Sequence, residues 1–519
     1  MSGASRKAAM MVSGLNLAGK LLGLVKTLLI AGLFGTTGML DAFWVAYSLP
    51  LLLPALLTGT LTIAFVPRFV SSLAGRSGAE AWRGANTLFT LVIGFAIIGS
   101  VLMYIYASGL VQRLAPGLDL VTHAKAVELT RMLLPAVVII TISSLLSALS
   151  YARERFLLPG LESIVNNIAI IALAVFCAKQ YGVTALLWGV MIGYAMQALI
   201  LIIGNRDLIA GSIRPALAFG HPDFRAPFGH LLPLFVGSAG SMLVGLVDQY
   251  FVSLLDAGSI SALTYASMLA FLPIEVFAQA VLTTYYPSLG RSFGAGDHVA
   301  AAETYAEGTR FLLLLTLPCA ILLAVLAEPI VVLLLQRGKF DATSTALTVQ
   351  AMMFLALVVV ARAHAYFSYR VLHAARWAWT QVSIGLLGVL TAILLNMMWA
   401  RTLGLRGIAL STLIAAIQSA LLATFAVRRL LNVPWPRGFA RDLRNVIIPC
   451  LAMAAIIAPL RWWIGPSSGN PWQAFLICAI AAPAGMLGLV VAVKLGQPDI
   501  VAALAALRRR LHKPMGAAS

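Results

Sequence analysis

Charged residues are scarce in this chain. Only 10% of its 519 residues are Asp, Glu, Lys or Arg, whereas 61% are hydrophobic. A soluble protein of this length would carry roughly 25% charged residues. The shortage excludes a water-soluble globular protein and predicts an all-α polytopic membrane protein, in which chain length counts membrane spans rather than soluble domains.

Cysteines are few, and motifs for catalysis or metal binding are missing. The four cysteines, Cys177, Cys319, Cys450 and Cys478, lie in apolar segments, which favours buried hydrophobic positions over disulfides or metal ligands. The sequence contains no P-loop, zinc signature or nucleophile elbow. We therefore predict a protein that is not an enzyme and has no cofactor. Its basic residues are scattered over short loops, which argues against nucleic-acid binding.

Apolar segments of about the length that crosses a bilayer, roughly 20 residues, recur along the whole chain. We predict about fourteen spans, and the first is retained because it shows no convincing cleavage site. The predicted spans are 9–35, 41–66, 86–110, 131–152, 158–178, 183–204, 227–255, 260–286, 310–335, 346–370, 378–400, 405–427, 443–464 and 473–494.

The positions of lysine and arginine test this map, because cytoplasmic loops of membrane proteins collect these residues. With the N-terminus inside, 24 of the 36 basic residues fall in inside segments, nine fall outside and three lie within spans. The bias predicts that both termini are cytoplasmic. No extramembrane segment is long enough for a soluble domain.

An internal repeat divides the chain. GLVKTLLIAGL at Gly23 resembles GLVDQYFVSLL at Gly245, and DAFWVAYSLP, ending at Pro50, resembles TYASMLAFLP, ending at Pro273. The nearly constant offset predicts two parallel six-helix lobes, and transporters built this way bind substrate near the membrane midplane between repeats and alternate access by rocking. The predicted parts are an N-terminal lobe in 1–205, a C-terminal lobe in 225–428, two additional helices in 443–495 and a cytoplasmic tail in 496–519.

The first span contains two lysines, Lys20 and Lys26. A charge at the centre of a span costs about 3 kcal/mol even on the gentlest scale, so it needs a partner, water or a function. Asn16, Gly19, Gly23 and Lys26 are spaced by three, four and three residues and share one helical face, which Lys20 flanks. The pattern suggests a hydrated cavity for an anionic group, and we predict that Asn16, Lys20 and Lys26 bind substrate.

Two aspartates are candidates for gating or coupling. Asp41 lies at the start of the second span, and we expect it to form either a helix cap or a gating contact. Asp248 is a lone acid deep in the seventh span, and the repeat aligns it with Lys26. We predict that Asp248 binds a cation or a proton; the alternative is that its side chain only packs against a neighbouring helix.

Other ionisable residues within the spans are less specific signals. Glu275 in the eighth span is a candidate for coupling through a proton, and Glu162 near the start of the fifth span shares a helical face with Asn166. Arg362 in the tenth span either lines the cavity and binds substrate or extends towards the membrane surface. His364 is expected to be a packed or interfacial histidine.

Five stretches resemble hallmark sequences of the MurJ/MviN family of lipid II flippases, in the multidrug/oligosaccharidyl-lipid/polysaccharide (MOP) exporter superfamily. They are LDAFWVAYSLP at Leu40, IAFVPRF at Ile63, LTYASMLAFLP at Leu263, YYPSLGRSFGAGD at Tyr285 and QRGKFDA at Gln336. The match runs in order over nearly the whole chain. It implies a flippase of the bacterial inner membrane that moves an undecaprenyl-diphosphate-linked saccharide, above all the peptidoglycan precursor lipid II.

Several positions depart from the family pattern. The first-span arginines appear as Lys20 and Lys26, which keep the charge but lose the bidentate fork suited to a diphosphate. The second-span arginine falls at Pro54, and an eighth-span Asp-Arg pair appears as Ser267 and Met268. These changes favour a second reading, a flippase for an exopolysaccharide or O-antigen repeat unit.

The coupling ion also depends on the resemblance. Some members of the family carry a sodium site, and Asp248 and Asn396 match parts of it, whereas its second carboxylate falls at Ala400. The resemblance therefore leaves Na+ and H+ open, with a monovalent cation at Asp248 and Asn396 as one outcome.

A polytopic glycosyltransferase is a further alternative, but it would need catalytic acids in sizeable outer loops, and these loops are short. The expected partners are the lipid-linked saccharide, membrane lipids and enzymes of cell-envelope synthesis.

Overall fold

The regular secondary structure is helical throughout the part of the chain that the computed structural model describes. That part comprises residues 3–52, 54, 78–153, 155–209, 213–218, 242–272, 279–375, 377–434, 436, 438–464 and 470–494. The helices are α1 Gly3–Phe34, α2 Gly38–Leu52, α3 Gly78–Ile105, α4 Ala107–Leu114, α5 Leu120–Ala152, α6 Leu157–Gly160, α7 Glu162–Tyr181, α8 Val183–Gly204, α9 Arg206–Ile209, α10 Met242–Ser253, α11 Ser259–Ala270, α12 Gln279–Gly294, α13 His298–Val325, α14 Ala327–Leu335, α15 Ala342–Ala374, α16 Ala378–Leu403, α17 Leu405–Leu431, α18 Phe439–Ile464 and α19 Pro471–Lys494.

Ten helices in the described ranges are long and apolar enough to cross a membrane. Four shorter apolar stretches accompany them, namely α2, α10, α11 and Pro471–Ala481 within α19. Helices prevail because lipid offers no hydrogen bonds, so backbone groups must be satisfied within each segment. The predicted all-α membrane fold is confirmed, and the count of fourteen spans stays a prediction because only the described residues could be searched for spans.

The chain divides into two compact units. Unit 1 comprises residues 1–262 and 337–344, and unit 2 comprises residues 263–336 and 345–519. These bounds differ from those of the predicted lobes because packing, not sequence repetition, defines them. The division into repeat lobes stays a prediction.

Small residues allow close helix packing in unit 1. A Cβ added to Gly189 of α8 would lie 2.7 Å from the Cα atom of Ile170 in α7, and one added to Gly193 would lie 2.9 Å from the Cα atom of Asn166. Because lipid tails are as apolar as leucine, helices in a membrane associate through such van der Waals contact rather than through the hydrophobic effect. The two glycines therefore fix α7 against α8.

The last two helices are an integral part of unit 2. Met453 and Ile457 of α18 and Ile477 of α19 form one buried cluster with Leu326, which joins α13 to α14. Near the start of α18, the side chains of Arg310 and Asp442 form an ion pair with a nitrogen–oxygen distance of 2.5 Å. Apolar packing and a partly buried ion pair thus attach the two additional helices to α13 and α14.

Candidate functional site

The first helix, α1, presents the cationic candidates of unit 1. Asn16 is exposed, whereas Lys20 and Lys26 are both half-buried. Lys26 follows Gly19 by seven residues, about two helical turns, and therefore lies on the same stripe of the helix. The structure keeps both ammonium groups on a helix whose other residues are mostly apolar.

The glycines of that stripe pack against α7. Gly19 is buried, and a Cβ at this position would lie 2.8 Å from the Oγ atom of Ser163. The amide of Asn167 donates a hydrogen bond to the carbonyl oxygen of Gly19 at 3.0 Å, and it lies 3.6 Å from the Cβ position of Gly23. The face that the sequence assigned to a cavity is therefore partly a helix contact, which fixes the position of the lysines beside it.

Asp41 in α2 caps a different helix, α11. Its carboxylate accepts hydrogen bonds from the backbone N–H of Gly258 at 2.6 Å, from the backbone N–H of Ser261 at 2.7 Å and from the hydroxyl of Ser261 at 2.5 Å. Only 2% of Asp41 is exposed. A carboxylate is favoured at this place because the first N–H groups of a helix have no partner in the helix itself. Asp41 thus binds the start of α11 to the start of α2.

The turn between α1 and α2 is held by Ser344 in the first turn of α15 and by Lys339 just before that helix. The hydroxyl of Thr36 donates to the hydroxyl of Ser344 at 2.8 Å, and the N–H of Lys339 donates to the carbonyl oxygen of Gly32 at 2.8 Å. Gly258 has a φ of 94° where its backbone touches Thr36, so a side chain there would be both strained and crowded. We call Asp41, its partners in 258–261 and the contacts of Thr36 the Asp41 cluster.

A small pocket opens beside the Asp41 cluster and includes Asp119 and Asp256 among its lining residues. Asp119 is the N-cap of α5 and accepts hydrogen bonds from the N–H groups of Val121 and Thr122, each at 3.0 Å. The hydroxyl and N–H of Thr122 hold the pKa of the exposed Asp119 carboxyl below its usual range. This aspartate lies outside the spans and stabilises a helix start.

The predicted coupling residues are buried within their own units. Asp248 of α10 is 8% exposed in unit 1, and the neighbouring Gln249 accepts a hydrogen bond from the hydroxyl of Ser48 at 3.0 Å. Asn396 of α16 is fully buried in unit 2. Among the described residues, no group of three or more His, Cys, Asp and Glu side chains could hold a metal ion. Glu275 lies outside the described residues.

Arg362 of unit 2 packs on an aromatic ring. Its guanidinium carbon lies 4.8 Å from the ring centroid of Phe271, a cation–π arrangement. Tyr366, which shares its helical face, accepts a hydrogen bond from Arg370 at 2.6 Å. His364 pairs with the hydroxyl of Thr424 at 2.7 Å. Arg362 therefore keeps its charge on the surface of α15, while its neighbours are engaged in packing.

Sequence reasoning missed one polar contact of unit 1. Gln197 of α8 is only 2% exposed and hydrogen bonds to Glu162 of α7. The signal was present, since Gln197 is a lone amide within the apolar run YAMQALILII. Its partner could not be read from the sequence because the contact joins two helices.

The helices define a polytopic membrane protein, and solved structures of transporters share its fold. A solved structure titled "Lipid II flippase MurJ, inward closed conformation" superposes with a TM-score of 0.81 at 22% identity and covers 95% of this chain and 100% of its own. An inward-facing multidrug resistance MATE family transporter of the MOP superfamily gives a TM-score of 0.64 at 16% identity and covers 82% of this chain and 99% of its own.

The family follows from the sequence matches. The family model described as "Lipid II flippase MurJ" matches residues 30–468. A lipid II flippase MurJ of Burkholderia cenocepacia is 28% identical over 87% of this chain and 89% of its own length. A probable lipid II flippase MurJ of Rhizobium meliloti is 26% identical over 98% and 96% of the two lengths. The chain belongs to the lipid II flippase MurJ family, which confirms the resemblance and its class, a transporter rather than an enzyme.

Proposed function

We propose that this protein moves lipid II, an undecaprenyl-diphosphate-linked saccharide, across the bacterial inner membrane by alternating access. The observation that carries the proposal is the pair of lysines on α1, in a chain that belongs to the MurJ family over residues 30–468. A diphosphate is the anion that two ammonium groups within a span would recognise, because charge-assisted hydrogen bonds are strong where water is scarce. Asn16 and Arg362 are the further candidates for binding the head group.

A second substrate class is favoured by a specific observation. The positions where the family carries further charges hold Pro54, Ser267 and Met268 in this chain, so its cavity is less cationic. The missing charges favour an exopolysaccharide or O-antigen repeat unit on the same lipid diphosphate as the alternative substrate. The shared chemistry is the lipid-linked diphosphate, and the saccharide distinguishes the two proposals.

We propose roles in gating for Asp41 and in ion coupling for Asp248, Glu275 and Asn396. Asp41 joins α2 to α11, so opening at that end would have to break or carry along its three hydrogen bonds. Asp248 and Asn396 are the candidates for a coupling cation, with H+ as the alternative ion and Glu275 as a further acid. We propose cytoplasmic termini, which reporter fusions after Arg113, Arg337 and Leu495 test by reading outside, outside and inside.

Complementation is the decisive experiment for the function. A strain depleted of its own lipid II flippase receives this gene, and the accessibility of lipid II at the outer leaflet is measured together with growth. Rescue with accessible lipid II supports the proposal. Failure to rescue, with the protein inserted and stable, contradicts it and directs the same assay to lipid-linked exopolysaccharide or O-antigen units.

A further inference from the structure

Glu162 in unit 1 is an acid that the transport proposal does not use, and it lies among polar side chains. Glu162 of α7 accepts a hydrogen bond from Gln197 of α8, and Tyr194 of α8 bonds to Tyr47 of α2. Tyr151 at the end of α5 and Tyr194 both lie near enough to Glu162 to be affected by its charge. We call these residues, together with Asn166, the Glu162 cluster.

The packing of α7 on α8 fixes the geometry of this cluster. The two helices are antiparallel neighbours, so that Glu162 meets Gln197, Asn166 meets Gly193 and Ile170 meets Gly189. Asn166 stands one turn above Glu162 on the same face. The absence of a side chain at Gly193 leaves room for the amide of Asn166 between the helices, next to the contact of Glu162 with Gln197.

In each of two buried amides of the cluster, one atom lacks a hydrogen-bond partner. The Oε1 atom of Gln197 and the Nδ2 atom of Asn166 are both inaccessible and unbonded, although the residues are 2% and 8% exposed. An unsatisfied buried polar atom costs about 1–3 kcal/mol, so such atoms call for a water or a ligand. The oxygen and nitrogen of an amide can exchange places by a flip, which would turn the oxygen of Asn166 inward.

The missing partner has a definite chemistry. The cluster offers one carboxylate, up to two amide oxygens and tyrosine hydroxyls, which are the hard oxygen ligands that alkali and alkaline-earth cations take. The hydrogen-bond partner of Glu162 within the described residues is Gln197, a neutral side chain. A single carboxylate balances a single positive charge, whereas a divalent ion would require more acids. We propose that Glu162, Gln197 and Asn166 form a binding site for one monovalent cation, sodium or potassium.

The site is reachable and lies within the membrane-spanning part. Gln197 is seven residues from the end of α8 at Gly204, about 10 Å along the helix. Glu162, Tyr47 and Tyr194 are half-buried and Tyr151 is exposed, so the protein does not fully enclose the cluster. The site lies in unit 1 and is distinct from Asn396 in unit 2, and binding there requires no lipid substrate. Its test is therefore independent of the proposed function.

The test measures ion-dependent stability of the purified full-length protein in detergent. Thermal unfolding is followed in sodium, potassium or choline chloride at equal ionic strength, and binding of radioactive sodium is measured directly. We expect a saturable rise in Tm with sodium or potassium over choline, since a ligand that binds only the folded state stabilises it. Glu162→Gln, which keeps the size of the side chain, should abolish the part of the rise and of the binding that remains when Asp248 is replaced by Asn.

Two further variants make the test specific. Gln197→Leu removes an amide oxygen but leaves the carboxylate, and it should reduce the ion-dependent shift even if Glu162→Gln does not fold. Glu128→Gln changes an acid that pairs with Lys125 outside the cluster, and its ion response should match the wild type. Asp248→Asn should retain the response that depends on Glu162.

Three outcomes would overturn the proposal. One is a sodium response that persists in Glu162→Gln and disappears in Asp248→Asn, which places the ion at Asp248. Another is stabilisation that follows pH and ignores sodium and potassium, which makes Glu162 a proton site. The third is equal stability in all three salts, which leaves ordered water as the partner of the two amides.

Discussion

The charged groups of the Asp41 cluster and of α1 have different surroundings. Asp41 is 2% exposed, and its carboxylate accepts three hydrogen bonds from the first turn of α11. Lys20 and Lys26 stay half-buried beside the glycines that pack on α7. The hydrogen bonds of Asp41 therefore stabilise the fold, whereas the two ammonium groups lie beside the contact of α1 with α7.

The difference separates stability from transport. A charge fully bonded within the fold contributes to folding, and removing it leaves its buried donors without partners. A charge that is costly to insert and is kept at a helix surface is the better candidate for a ligand. Substitutions on the two sides of this comparison should therefore affect different measurements.

The largest effect is expected at Lys26. Lys26→Ala should abolish flipping of the lipid-linked saccharide, because loss of one partner of a buried ion pair costs about 3–5 kcal/mol. Lys26→Arg should retain transport, and Lys20→Ala should be milder because Lys20 lies nearer the start of the helix. The measurement is accessibility of the lipid-linked saccharide at the outer leaflet, with expression and Tm as controls. Transport at the wild-type rate in Lys26→Ala would place the diphosphate elsewhere, with Arg362 as the next candidate.

The next effect concerns stability and lies at Asp41. Asp41→Ala should lower Tm in detergent, because each buried donor that loses its partner costs about 1–3 kcal/mol. Asp41→Asn should lower it less, since the amide oxygen still accepts a hydrogen bond. Thermal unfolding of both variants beside the wild type measures the difference. An unchanged Tm in Asp41→Ala would show that the cluster does not stabilise the folded state.

A smaller effect on transport is expected at Asp248. Asp248→Asn should weaken transport or its dependence on the ion gradient, because the neutral amide binds a cation less well and cannot take up a proton. Transport is compared with the sodium gradient and the proton gradient collapsed one at a time. If Asp248→Asn and the wild type respond alike when either gradient is collapsed, Asp248 is a packing residue.

The smallest effect is expected at Asp119, an exposed cap that serves as the matched control for Asp41. The pKa of Asp119 is lowered by its bonds to Thr122, so its contribution to stability is complete above the ordinary aspartate pKa of about 3.9 and is lost as the pH falls below it. Asp119→Ala should lower Tm less than Asp41→Ala at neutral pH. The Tm values of the wild type and of Asp119→Ala, measured from neutral to acidic pH, should converge at the acidic end. A constant difference between them would exclude this linkage.

Much of the fold could be predicted from the sequence because membrane insertion depends on local composition. Apolar runs of the length of a bilayer, such as the one that becomes α8, can only be helices in lipid. Lys26 was identifiable as a candidate because a lysine within such a run is costly wherever the helix packs. Charge scarcity, helical spans and the family resemblance therefore needed no tertiary information.

The partners of polar groups could not be predicted, because they depend on which helices meet. Asp41 was expected to cap a helix or form a gating contact, and the structure pairs it with Ser261, which lies 220 residues away. The GxxxG spacing of Gly19 and Gly23 favours a helix contact, yet only the packing of α7 on α1 identifies the partner helix.

The sequence alone determined that this chain is a helical membrane transporter of the MurJ family with cations on its first helix. Hydropathy and spacing are properties of one segment at a time, and they are fixed before any helix packs. The tertiary structure decided which charged groups are hydrogen-bonded within the fold. It also decided which polar atoms, such as the Oε1 atom of Gln197, are left without a hydrogen-bond partner. That decision needs two helices at close range, because a hydrogen bond forms or fails over a few tenths of an ångström.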